Sequence, residues 1–101
     1  MKMSKTIKKL NDRMELAIKK IATQASEEFA GFDSLEHTVQ FDLFPGSLLV
    51  SCYFKSHDDL DKAMSSEKSY QKKLHNLLMK QGILLKEPKQ NLKFYVKKAD
   101  A

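Results

Sequence analysis

Apolar residues recur at spacings of three and four near the start of the chain. They form one stripe that consists of Ile7, Leu10, Met14, Ala17, Ile18, Ile21, Ala25 and Phe29. This period is that of an amphipathic α-helix with one face towards a core, so we predict a helix over residues 5–30. Gly31 follows at once, where we expect a left-handed residue to end the helix.

A strict alternation of apolar and polar residues follows further along. Val39, Phe41 and Leu43 alternate with polar residues, which predicts a strand over residues 38–43. Pro45 and Gly46 predict a tight turn, with the glycine at positive φ. The alternation resumes over residues 48–55, so we predict a hairpin with one apolar face.

The second half of the chain returns to helical spacing. Ser56 is a typical N-cap for a first helix, and Ser66 for a second one that ends at Gly82. A single helix over residues 57–81 is the competing interpretation. Leu92, Phe94 and Val96 then alternate with polar residues, which predicts a last strand over residues 92–97.

The predicted element order is therefore α-β-β-α-α-β. Every helix has one apolar stripe and every strand one apolar face, so the simplest arrangement is a two-layer α+β fold. In it, the helices cover one face of a three-stranded sheet. The length of 101 residues allows one domain over residues 1–101, with an ordered core over about residues 5–97.

The net charge of +5 conceals a three-part pattern. Residues 1–20 carry a net charge of +5, residues 21–62 of −6, and residues 63–101 of +6. Two basic segments therefore flank an acidic one, and a fold that gathers them would attract a polyanion. The single cysteine fits a reducing compartment, and no apolar run reaches membrane-spanning length. We therefore expect a cytoplasmic protein without a membrane partner.

Two resemblances bear on the fold. The element order is similar to that of the type II KH domain and of the ribosome-binding factor A group, which implies an association with RNA or the ribosome. KH domains grip phosphates with a Gly-x-x-Gly loop between paired helices. The corresponding residues 64–68 read Met-Ser-Ser-Glu-Lys, so a KH-like domain would be degenerate there.

The residues themselves resemble a family of short basic proteins from gamma-proteobacteria. The resemblance covers about residues 31–86. It is carried by Gly31, Phe32, Leu35, His37, Phe44, Pro45, Ser47, Leu48, Val50, Cys52, Phe54, Gly82, Ile83, Leu85 and Lys86. It implies no activity and no cofactor.

No cluster of residues predicts an enzyme. His57 and Asp61 lie four residues apart, as metal ligands on a helix can, but acids in a first helical turn are typical of dipole stabilisation. Cys52 lies on an apolar strand face without a neighbouring base, which favours a packing role over a nucleophilic one. We therefore predict a non-enzymatic protein with no metal or cofactor.

The lysine-rich surfaces are the strongest functional signal. Aromatic residues between lysines are typical of nucleic-acid binding, because rings stack on bases while ammonium groups hold phosphates. The predicted site residues are Lys93, Tyr95 and Lys97 on the last strand, Tyr53 and Lys55 on the middle strand, and Lys68, Lys72 and Lys73 on the second of the paired helices. We expect binding to structured RNA or the ribosome. The alternative is a protein-interaction module or homodimer whose lysines only solubilise the chain.

Overall fold

The computed structural model describes residues 5–97 and begins with a long helix, α1 (Lys5–Glu28). The predicted stripe is its inner face: Met14, Ile18, Ile21 and Ala25 are all buried. The helix ends three residues before Gly31. Gly31 does not adopt the predicted left-handed conformation. Among the described glycines, positive φ occurs at Gly82 alone. Gly46 likewise lacks the positive φ that the turn pattern predicted.

Three strands form one sheet: β1 (Phe32–Thr38), β2 (Leu49–Phe54) and β3 (Leu92–Val96). β2 lies in the middle, antiparallel to β1 and parallel to β3. Parallel neighbours need a crossover connection, and the helices between β2 and β3 supply it. The predicted α+β class, with helices against a three-stranded sheet, is confirmed.

The first strand lies earlier in the chain than the alternation indicated. β1 ends at Thr38, and Phe41–Leu43 is a 3₁₀ turn instead of a strand. Ser47 closes this connection, because its hydroxyl donates to Gln40 O (2.6 Å) and accepts from Gln40 N (2.9 Å). The predicted strand over residues 38–43 is therefore wrong. The partner positions along β2 are already filled by residues 32–38.

The segment over residues 57–81 forms two helices, not one: α2 (His57–Met64) and α3 (Glu67–Lys80). Ser56 caps α2 as predicted, since Asp59 N donates to its hydroxyl (3.1 Å). Ser66 precedes α3 but makes no side-chain cap. At the other end of α3, Gly82 has φ 83° and Ile83 N donates to Leu78 O (2.9 Å), as in a Schellman motif.

The helices and one face of the sheet enclose the core. Tyr70 and Phe94 lie within ring-contact distance of Phe29, which joins helix and sheet layers in one aromatic cluster. A one-turn helix, α4 (Pro88–Asn91), leads into β3. Asn91 is buried there and donates to Leu48 O (2.7 Å), tying the start of β3 to the start of β2. No helix within residues 5–97 covers the opposite face of the sheet.

Candidate functional site

The uncovered side of the sheet, which we call the open face, consists of every second residue of each strand. The core takes Val50, Cys52 and Phe54 of β2, so the intervening residues point the other way. By the strand register, the open face contains Ser34, Glu36 and Thr38 of β1, Leu49, Ser51 and Tyr53 of β2, and Lys93, Tyr95 and Lys97 of β3.

A pair of tyrosines lies at the centre of this surface. Tyr53 and Tyr95 are register partners in the parallel β2–β3 pair. Their ring centroids are 5.8 Å apart and the rings are inclined by 31°. Tyr95 is 37% exposed, and both rings line a shallow depression of about 600 Å³. Two neighbouring rings, Tyr95 exposed and Tyr53 half-buried, thus line one depression of the open face.

Lysines flank the pair along β3. Lys93 and Lys97 are two residues before and after Tyr95, about 7 Å along the strand in each direction. Lys55 follows β2, and its backbone N–H donates to Gly31 O (2.9 Å). All three lysines are exposed. The structure therefore brings together the five predicted residues of the last two strands: Tyr53, Lys55, Lys93, Tyr95 and Lys97.

The β1 side of the open face is acidic. Asp33 accepts a hydrogen bond from the Ser34 hydroxyl (2.9 Å), and Lys97 Nζ lies 3.2 Å from its carboxylate. The Ser34 hydrogen bond, followed by the contacts with Lys97 and the charge of Lys55, lowers the pKa of Asp33 below its usual value. Glu36 adds a second carboxylate opposite Ser51. The open face thus has carboxylates on β1 and lysines on and after β3, with Lys97 and Asp33 paired to each other.

The three predicted lysines of α3 do not form one group. Lys73 turns towards α1, where its Nζ lies 3.9 Å from Glu28 Oε1 and 4.5 Å from the centre of the Tyr70 ring. Tyr70 also donates to Glu28 Oε1 (2.6 Å), so Lys73 belongs to the contact between α1 and α3. Lys68 and Lys72 instead line a groove beside α4.

The side chains considered for catalysis have no catalytic surroundings. Cys52 is fully buried, and burial raises the pKa of its thiol to about 12, with a further contribution from the charge of Glu67. A thiol with that pKa is not a nucleophile at neutral pH. Near His57, Asp58 pairs with Lys62 (3.2 Å) and Asp59 accepts from the Ser56 hydroxyl (2.8 Å). Among residues 5–97, no three His, Cys, Asp or Glu side chains converge as metal ligands.

One surface was missed by sequence reasoning. Leu43 and Leu84 are 62% and 64% exposed and line the same groove, together with Phe44 and Pro45. The alternation placed Leu43 on the buried face of a strand, but the 3₁₀ turn leaves it outside. No signal in the sequence brings Leu43 and Leu84 together, because 41 positions separate them.

Comparisons with known protein families, with curated proteins and with solved structures find no match. Within residues 5–97, no helix combines the length and the apolar character that crossing a bilayer requires.

Proposed function

We propose that this chain is a non-enzymatic RNA-binding protein and that the open face is its binding surface. The observation that best supports this function is the Tyr53–Tyr95 pair, whose ring centroids lie 5.8 Å apart on the uncovered side of the sheet. Exposed aromatic rings on a sheet stack unpaired bases, and each stacked base contributes about 1–3 kcal/mol. The ligand is a single-stranded segment, such as a loop of a structured or ribosomal RNA.

The charges of β3 support this proposal. Lys93 and Lys97 precede and follow Tyr95 by two residues. Lys93 is exposed for a phosphate contact, whereas phosphate would compete with the Asp33 carboxylate, 3.2 Å away, for Lys97. Every basic side chain of the chain except Arg13 is a lysine. Lysine binds phosphate as a point charge, whereas arginine supplies the planar fork that reads guanine. Recognition is therefore expected to follow RNA shape and exposure of bases more than their sequence.

Phosphate contact between the paired helices, as in KH domains, is not part of the proposed function. In the KH-like interpretation, phosphates would approach residues 64–68 between the paired helices. Glu67 lies in that segment, and its carboxylate accepts from Phe94 N (2.9 Å). A segment without glycine does not allow the close backbone approach to phosphate on which KH domains rely, so we place the stacked bases on the open face.

Fluorescence anisotropy with a labelled single-stranded RNA tests the proposal. Three lysine contacts give a salt slope of about −2, so affinity should fall roughly 20-fold between about 50 and about 200 mM salt. The Lys93→Glu/Lys97→Glu variant should lose binding, while the matched Lys19→Glu/Lys20→Glu variant on the exposed side of α1 retains it. Circular dichroism checks that both variants are folded. Equal, negligible affinity at both salt concentrations would overturn the proposal.

A second candidate function rests on the groove that contains Leu43 and Leu84. Two leucines more than 60% exposed in one groove are typical of a protein contact. In that case the chain is a protein-interaction module or a homodimer, and the lysines solubilise it. Light scattering over a wide concentration range tests the homodimer: the Leu43→Ser/Leu84→Ser variant should dissociate it. A monodisperse monomer at every concentration would contradict this form.

A further inference from the structure

A second basic surface lies along the outer edge of β3. We call it the edge groove; it holds about 390 Å³ and is lined by Lys68, Gln71, Lys72, Glu87, Pro88 and Lys89. Lys68 and Lys72 are one helical turn apart on α3, and Lys89 faces them from α4. The lining thus contains three lysines and one carboxylate, Glu87.

Gln71, which lines the edge groove, links it to the start of β3. Gln71 Nε2 donates to Leu92 O (2.9 Å) and to Lys89 O (3.3 Å). One turn earlier, Glu67 accepts from Phe94 N. The three lysines outnumber the two carboxylates nearby, Glu87 and Glu67, so the groove has a net positive charge.

Lys93 connects the edge groove to the tyrosine pair. It lies between Leu92 and Phe94, the two β3 residues whose backbones contact α3. Its own side chain belongs to the open face, two residues before Tyr95. β3 is the last strand in the sheet order, so Lys93 lies on an edge strand beside the backbone groups that contact α3.

We propose that the RNA strand stacked on Tyr53 and Tyr95 passes Lys93, crosses the edge of β3 and continues into the edge groove. Lys68, Lys72 and Lys89 hold its phosphates there. This inference rests on the proposed function and adds the class of ligand: a single strand longer than the open face, with a flexible backbone that bends around an edge. A continuous duplex does not meet this requirement, because its bases are already paired.

Two labelled single-stranded RNAs of about four and about eight nucleotides distinguish binding that continues into the edge groove from binding to the open face alone. The wild-type protein should bind the longer RNA more tightly and with a steeper salt slope. The Lys68→Gln/Lys72→Gln variant should reduce that slope by about 1.4, since each phosphate contact of a single strand contributes about 0.7. Binding of the shorter RNA should not change.

The Lys19→Gln/Lys20→Gln variant removes the same charge from an exposed face of α1 and serves as the matched control. It should bind both RNAs as the wild type does. Equal affinity of the wild type for the two lengths overturns the path into the edge groove and leaves the open-face site standing. An equal loss in both lysine variants also overturns it, because charge alone would then explain the effect. Failure of the wild type to bind either RNA overturns the proposed function itself.

Discussion

Tyr53 and Tyr95 lie opposite each other on adjacent parallel strands, and their ring centroids are 5.8 Å apart on the uncovered side of the sheet. This relationship exists because the crossover through α2 and α3 brings β3 beside β2. Around the pair, charge runs from acidic on β1 to basic on β3. A polyanion laid on this face is therefore directed towards Lys93 and away from Glu36, while Asp33 is paired with Lys97.

Replacing Glu36 should strengthen RNA binding. Its carboxylate repels phosphate on the open face at a range of about 7 Å, which is worth about 0.6 kcal/mol in water. Glu36→Gln should therefore raise affinity about threefold at low salt, as measured by anisotropy. Glu27→Gln on the exposed side of α1 should have no effect. An equal gain in both variants would show that only net charge matters.

Adding a methyl group at Gly31 should destabilise the fold. A Cβ at this position would overlap the Asp59 side chain, which also anchors the cap of α2 through Ser56. We expect Gly31→Ala to lower the free energy of unfolding by about 1–3 kcal/mol in urea denaturation. At Gly46 the nearest atom to a new Cβ is Leu43 O at 3.7 Å, so Gly46→Ala should be tolerated. Equal stability of the two variants would refute the steric role of Gly31.

The buried thiol of Cys52 should make stability fall at alkaline pH. Its pKa is about 12 in the folded chain, against 9.0 for an ordinary thiol. Because the folded state holds the proton more tightly, the free energy of unfolding decreases as pH rises through this interval. Cys52 should contribute a loss of about 1.4 kcal/mol between pH 7 and about pH 10.

Urea denaturation at both pH values, with reductant present, tests the role of Cys52. Cys52→Ala should be less stable than the wild type at pH 7 because it leaves a cavity, but its further loss at alkaline pH should be smaller. An identical alkaline loss in the variant would mean that the thiol does not control it.

Gln71 should be essential for closing the edge of β3. Its amide satisfies two backbone carbonyls, Leu92 O and Lys89 O. Gln71→Leu leaves both without this donor, which we expect to cost about 1–3 kcal/mol of unfolding free energy. The open edge should also promote self-association, visible in light scattering. Asn76→Leu, an exposed amide on the same helix, should keep the wild-type stability, and an equal loss there would contradict this account.

The elements predicted correctly are those whose pattern of apolar residues fits only one type of secondary structure. The stripe of α1 and the alternation in β2 and β3 match the structure, because each has a buried face that consists of apolar side chains. The sequence pattern did not predict β1, because its inner face has few apolar residues. Phe32 and Leu35 are apolar there, but His37 is polar. The stronger alternation at residues 39–43 runs into the 3₁₀ turn Phe41–Leu43 instead of a strand. The ring centroids of Phe41 and Phe44 lie 5.6 Å apart there.

The residues of the candidate site could be predicted from the sequence, but their arrangement in space could not. Lys93, Tyr95 and Lys97 share a face by strand periodicity alone. That Tyr53 joins them depends on β3 lying parallel to β2, which the residues of neither strand specify. The turning of Lys73 towards Glu28 likewise depends on how α3 contacts α1, so no helical periodicity could separate it from Lys68 and Lys72.

The most direct test of the central claim is the affinity of single-stranded RNA for tyrosine variants, measured by anisotropy at about 50 mM salt. If both rings stack on bases, Tyr53→Ala and Tyr95→Ala should each weaken binding about 5- to 150-fold, and the phenylalanine variants should bind as the wild type does. Folded alanine variants that bind RNA with unchanged affinity would contradict the account.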